Sequence, residues 1–165
     1  MNRTANPISY FITALILLWC LISAEAAGKE LPAKQKIALL QPIERHAVQY
    51  GEGSTKVYVF VDPKCPHSQD FISMISESSK MRSIYRYYIF FYELKRFNSH
   101  NLIGTIYASS SPLQRILEVM VGKKEIDTAS EFEPKIEEKI NDIEGVAEEI
   151  GVSKRPYLII AKEKD

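Results

Sequence analysis

The chain has 165 residues, 45% of them hydrophobic, with 21 basic and 21 acidic side chains and no formal net charge. That length supports one domain with its own core, and the balanced charge leaves no field that would gather nucleic acid or acidic lipid. His46, His67 and His100 are scattered, so no metal-ligand spacing arises, and no phosphate loop, Ser-His-Asp order or basic-aromatic patch is present.

Arg3, the apolar run from Ile8 to Ile22 and then Ser23-Ala24-Glu25-Ala26-Ala27 read as a signal peptide cleaved after Ala26. The competing reading is an uncleaved anchor, because the run approaches the lower limit of roughly 17 residues for a spanning helix; the Ala-x-Ala that follows favours cleavage. Bulky Trp19 before Cys20 argues against lipidation. The expectation is export to the periplasm, with no membrane contact after cleavage. Of two cysteines only Cys65 then survives, which rules out an intramolecular disulfide.

Residues 27–55 form a lead segment in which Lys34 to Tyr50 is a short strand or helix interrupted by Pro42, followed by a turn at Gly51-Glu52-Gly53-Ser54. A domain over residues 56–165 begins with Lys56 to Val61, a buried strand rich in β-branched and aromatic residues. A helix follows with Phe71, Ile72 and Ile75 on its inner face, then the aromatic strand Tyr85 to Leu94. This β-α-β order implies parallel strands joined by a right-handed crossover. A helical insertion over about residues 97–150 contains Asn98 to Ala108 and, after Ser111 as cap and Pro112 as first helical residue, Leu113 to Val121 stopped by Gly122. Phe132, Ile136, Ile140, Ile143, Ala147 and Ile150 recur at helical spacing and predict an amphipathic helix pair broken near Gly145. The charge run Lys135 to Lys139 reads as its solvated face. The last strand is Tyr157 to Ala161, entered through Pro156. On the sequence alone that X-Pro bond is either cis or trans.

The chemistry lies in Asp62-Pro63-Lys64-Cys65-Pro66-His67-Ser68, a tight turn between strand and helix. The first turn of a helix leaves N–H groups unpaired and carries the positive end of the dipole, so a cysteine there is favoured as thiolate. Pro66 suits the first helical position, and this context predicts an exposed, reactive thiol over a buried inert one. His67 is either a stabilising imidazolium beside the sulfur or a surface histidine. Ser68 either donates to the sulfur or simply starts the helix. Asp62 reads as a turn-former with Pro63.

Together, Cys65-Pro66-His67-Ser68 after a buried strand, the helical insertion ending Val119-Met120-Val121-Gly122, and the Gly-Val-Ser-x-x-Pro turn before another strand resemble the thioredoxin-fold catalytic domain of periplasmic Dsb-type disulfide isomerases. The resemblance implies an α/β, thioredoxin-like fold with a helical insertion. It maps the family's active cysteine to Cys65 and its cis-proline to Pro156, with Pro66, His67 and Ser68 completing the catalytic turn. Arg155 and Tyr157, flanking the proline, are implied as substrate-binding. No cofactor or metal is implied.

The departures are specific. The family's second active-site cysteine falls at Ser68, its structural insertion cysteine at Ala108, and the residue before its cis-proline at Arg155. The N-terminal dimerisation domain has no counterpart, and a C-terminal hairpin partner and closing helix are expected to be missing after Asp165, which would leave an open edge and an uncovered apolar face. Two functions follow. One is a monothiol disulfide isomerase or exchange protein that works on proteins with disulfides and on external thiols. The other is a non-catalytic thioredoxin-fold scaffold, as a homodimer or an envelope-complex subunit.

Overall fold

In the computed structural model, which describes residues 30–161, the lead segment folds as helix α1 (Ala33–Leu40), a 3-10 stretch (Gln41–His46) and strand β1 (Val48–Tyr50). The signal-peptide reading and residues 162–165 lie outside the described residues. Pro42 has no N–H to continue the α-helical ladder, and the chain tightens into the 3-10 form there. From Leu31 on, the chain is one compact unit, so the lead segment joins the domain it precedes.

Strand β2 (Thr55–Val61), helix α2 (Pro66–Glu77), helix α3 (Ser79–Ile84) and strand β3 (Tyr85–Phe91) form the expected parallel unit, with Val57 opposite Tyr87 and Phe60 opposite Phe90. The Ser78 hydroxyl accepts from Met81 N at 3.2 Å and caps α3. The insertion contains α4 (His100–Ala108) and α5 (Pro112–Ile116), the latter running into a π-helical turn at Leu117–Val121. An irregular stretch leads to α6 (Pro134–Ile150), and strand β4 (Tyr157–Ala161) completes a sheet of order β1-β3-β2-β4. β1 is antiparallel to β3, and β4 antiparallel to β2.

The central strands are buried on both faces from their third residue on, which is why they read as continuous apolar runs without alternation. Phe60 stacks on Phe90 at 5.3 Å and Tyr58 meets Tyr88 at 5.4 Å. The other face, that of Val57 and Tyr87, receives α2, whose Phe71 meets the Tyr87 ring edge-on at 6.0 Å. On the Tyr58 and Phe60 face lie α1 and the 3-10 stretch: Lys36 Nζ donates to the Tyr157 hydroxyl at 2.7 Å, and the Tyr58 hydroxyl donates to Glu44.

Two expectations are corrected. The break near Gly145 does not occur, and α6 runs unbroken through 17 residues. Gly145 is solvent-exposed, its cost in a helix interior is only about 1 kcal/mol, and the Ile136, Ile140, Ile143, Ala147 and Ile150 stripe is buried along the whole length. The helix does not take in Phe132 either: that residue lies before its start at Pro134, with its ring over Gly104 of α4 where a Cβ would collide. The true stop is Gly151, at φ 79°, where Val152 N donates to Ala147 O at 2.9 Å and Gly151 N to Glu148 O at 3.0 Å. On β4, Ile159 is buried under the lead segment's side of the sheet, while Leu158 and Ile160 on the α2 side are 43% and 48% exposed.

Candidate functional site

Cys65 is the N-cap of α2, and Asp62 builds the turn that places it. Cys65 N donates to Asp62 O at 3.0 Å, Lys64 N to Asp62 Oδ1 at 2.8 Å, and Gln69 N to Cys65 O at 3.0 Å as the first helical bond. Pro66 follows at the first helical position, where its missing N–H costs nothing.

The thiol is not exposed as expected: Cys65 retains 1% of its surface. Its Sγ lies 3.9 Å from the carbonyl oxygen of Arg155, 90 residues away, in a long S–H···O contact, and the Arg155–Pro156 bond is cis. Local helix-start chemistry predicted accessibility from α2 alone. The loop before β4, which closes over the sulfur, belongs to a different part of the chain.

The other expected residues divide. Pro66 and His67 are exposed beside the thiol. Ser68 is fully buried, and its Oγ accepts from Asp62 N at 3.2 Å, so it staples the first turn of α2 to the end of β2. Arg155 is 6% exposed, and its side chain points inward. Its guanidinium lies 3.8 Å from the Tyr92 ring centroid and donates to four carbonyls, those of Tyr92 at 2.8 Å, Glu93 at 3.2 Å, and Val152 and Lys154 at 3.3 Å each. Burial pushes its pKa down from the ordinary arginine value, opposed chiefly by Tyr92 and also by the neighbouring Asp62 and Cys65. Tyr157 does not join the thiol. It pairs with Phe60, on the sheet face opposite to that of Tyr87 and α2, where Lys36 holds its hydroxyl.

Sequence reasoning gave Asp62 only the turn and missed its larger part. The carboxylate is fully buried, and beyond Lys64 N it accepts from Leu94 N at 2.6 Å and Ser99 Oγ at 2.7 Å. Glu93 in turn accepts from Ser99 N and, at 3.3 Å, from His100 N, which satisfies the first turn of α4. The one sequence signal for this hub was an acid set directly after five buried apolar residues of β2.

No protein-family model and no curated protein matches the sequence. Solved structures do. ScsC of Proteus mirabilis in a compact conformation covers 95% of this chain and 82% of its own at 10% identity, with a TM-score of 0.64. A disulfide interchange protein of Neisseria gonorrhoeae matches over 70% of this chain and 79% of its own at 16% identity and TM-score 0.55. The thiol-disulfide exchange protein alpha-DsbA2 of Wolbachia pipientis matches over 78% and 84% at 14% identity and TM-score 0.54. The fold is thioredoxin-like, as in these neighbours. Within that fold the cysteine turn and the proline turn meet at the Cys65–Arg155 contact. Among the described residues no acid, cysteine or histidine cluster could hold a metal ion, and no helix is long and apolar enough to cross a membrane.

Proposed function

We propose that this protein carries out thiol-disulfide exchange through Cys65 outside the cytoplasm, in the periplasm after removal of residues 1–26. The observation that carries the reading is the meeting of Cys65 Sγ with the Arg155 carbonyl beside Pro156, which joins the two motifs of a Dsb-type site across 90 residues. The Cys65 thiolate attacks one sulfur of a substrate disulfide. A Cys65–S–S–substrate bond forms, the substrate S–S bond breaks, and the leaving sulfur departs with the electron pair as thiolate. A second substrate thiolate then attacks the mixed disulfide and frees Cys65, which is isomerisation with no net oxidation. Attack by an external thiolate on Cys65 Sγ instead releases the second substrate thiolate, and a second external thiol then frees Cys65 as the external disulfide forms, which completes a reduction of the substrate. Ser68 supplies no resolving sulfur, so the mixed disulfide is long-lived.

The burial of Cys65 and the exposure of Leu158 and Ile160 favour a second reading, a scaffold that docks through the α2 side of β4 as a homodimer or envelope subunit. The two separate in one experiment. Treatment of the folded protein with an uncharged aromatic disulfide, followed by peptide mapping, should give an adduct at Cys65 that a small thiol removes. Labelling of Cys65 only after unfolding would overturn the exchange reading. In a companion variant, Ser68→Cys should close an internal disulfide under mild oxidation, since the position lies on the first turn of α2. A free dithiol after oxidation would refute the implied geometry.

A further inference from the structure

Beside the thiol turn is a groove of about 450 Å³. It is lined by Pro63, Lys64 and Gln69 and by Lys123, Lys124 and Glu125 of the irregular stretch after the π-helical turn. The floor is apolar: Leu102 and Val119 are each 8% exposed, and Ile126 is half-buried above them. Lys64 directly precedes Cys65, and Gln69, one helical turn after it, shares its side of α2.

The charges on this groove are held in place and not neutralised. Lys64 Nζ donates to the carbonyls of Asn98 at 2.7 Å and Phe97 at 3.3 Å, and Lys123 Nζ donates to Gln69 Oε1 at 2.6 Å. Both ammonium groups meet neutral oxygens, whereas elsewhere Lys56, Arg115 and Lys135 each meet a carboxylate within 3.0 Å. An ammonium has three donors, so Lys64 keeps at least one and Lys123 two for an incoming acceptor. Three lysines and one glutamate border an apolar floor, and a carboxylate-bearing chain with an apolar anchor complements that surface.

We propose that this groove is the specificity site for the exchange reaction, and that it takes an extended polypeptide segment with an apolar side chain and acidic residues close to its cysteine. This rests on the exchange reading for its purpose but not for its test. Binding of fluorescent peptides to the full chain carrying Cys65→Ser needs no thiol. An apolar-acidic peptide should bind more tightly than its lysine counterpart, by roughly 1.5–5-fold for each charge exchanged, and the advantage should shrink in high salt. Lys123→Glu with Lys124→Glu should reverse the preference, and Lys123→Met with Lys124→Met should abolish it. Equal affinity for the two peptides, indifference to these substitutions, or equally tight binding of a single-stranded oligonucleotide of the same charge would overturn the proposal. With Cys65 present, the charge reversal should slow mixed-disulfide formation with the acidic peptide and speed it with the lysine counterpart. If the aromatic disulfide labels Cys65 while acidic and basic peptide disulfides react alike, the groove proposal fails and exchange stands. If nothing labels Cys65 but the acidic peptide still binds, exchange fails and the groove stands as a peptide site without that purpose.

Discussion

Two buried charges flank the sulfur, and they are satisfied in different ways. Asp62, at the end of β2, draws its donors from its own turn, from the stretch after β3 and from the start of the insertion, so it ties three segments together. Arg155, on the other side, spends its donors on carbonyls of its own loop and of Tyr92 and Glu93, and rests on the Tyr92 ring. Neither makes a direct ion pair among the described residues. Backbone groups, with the Ser99 hydroxyl at Asp62, solvate both, which avoids leaving a buried charge bare and fixes the turn and the loop that enclose Cys65. The difference is one of reach: Asp62 ties the turn that bears the thiol to two other segments, whereas Arg155 ties the loop that covers it to one, the Tyr92–Glu93 stretch.

Removing the anchor should have the largest effect. Asp62→Ala leaves Leu94 N and Ser99 Oγ without their buried acceptor, and should cost about 2–4 kcal/mol in urea unfolding while raising the alkylation rate of Cys65 as the turn loosens. A loss below about 1 kcal/mol would break the contrast by making Asp62 an ordinary turn residue. Arg155→Met keeps the bulk and removes the donors, and should cost about 1–3 kcal/mol by the same measurement, with faster labelling of Cys65 as its cover loosens.

Near Tyr92, the Tyr107 hydroxyl accepts from Phe91 N at 3.1 Å, and burial pushes its pKa well above the ordinary tyrosine value. Tyr58 and Tyr87 shift in the same direction, also chiefly through burial. A raised folded pKa means stability that is fully present below the unfolded tyrosine pKa of about 10 and is lost as pH rises beyond it. Urea midpoints should therefore fall above about pH 10. Tyr107→Phe should flatten part of that slope and cost about 1 kcal/mol at neutral pH for the unpaired Phe91 N–H.

The smallest effect is expected far from both charges. A Cβ at Gly145 meets nothing within 4 Å, so Gly145→Ala should stabilise α6 by about 0.5–1 kcal/mol. Cys65 labelling should be unchanged, which makes this variant a reference for the other two. A coupled change in labelling would mean that α6 and the thiol loop open together.

Much of this was legible in the residues alone, because it depends on neighbours in the chain. The apolar run of β2, the aromatic run of β3, Pro66 and Pro112 as helix starts, Gly122 as a stop and the bounds of β4 all follow from backbone chemistry within a few residues. So does the placement of Cys65 at a helix start. Tertiary packing decided what depends on distant partners: that the lead segment supplies both a helix and an edge strand, that α6 continues past Gly145, that Arg155 turns inward, that Tyr157 serves the opposite face, and that Cys65 is covered. Periodicity and turn residues record what a segment favours by itself, whereas the exposure of a side chain depends on which remote surface closes over it. Cys65 and Arg155, 90 positions apart, meet only once the sheet order brings β4 beside β2.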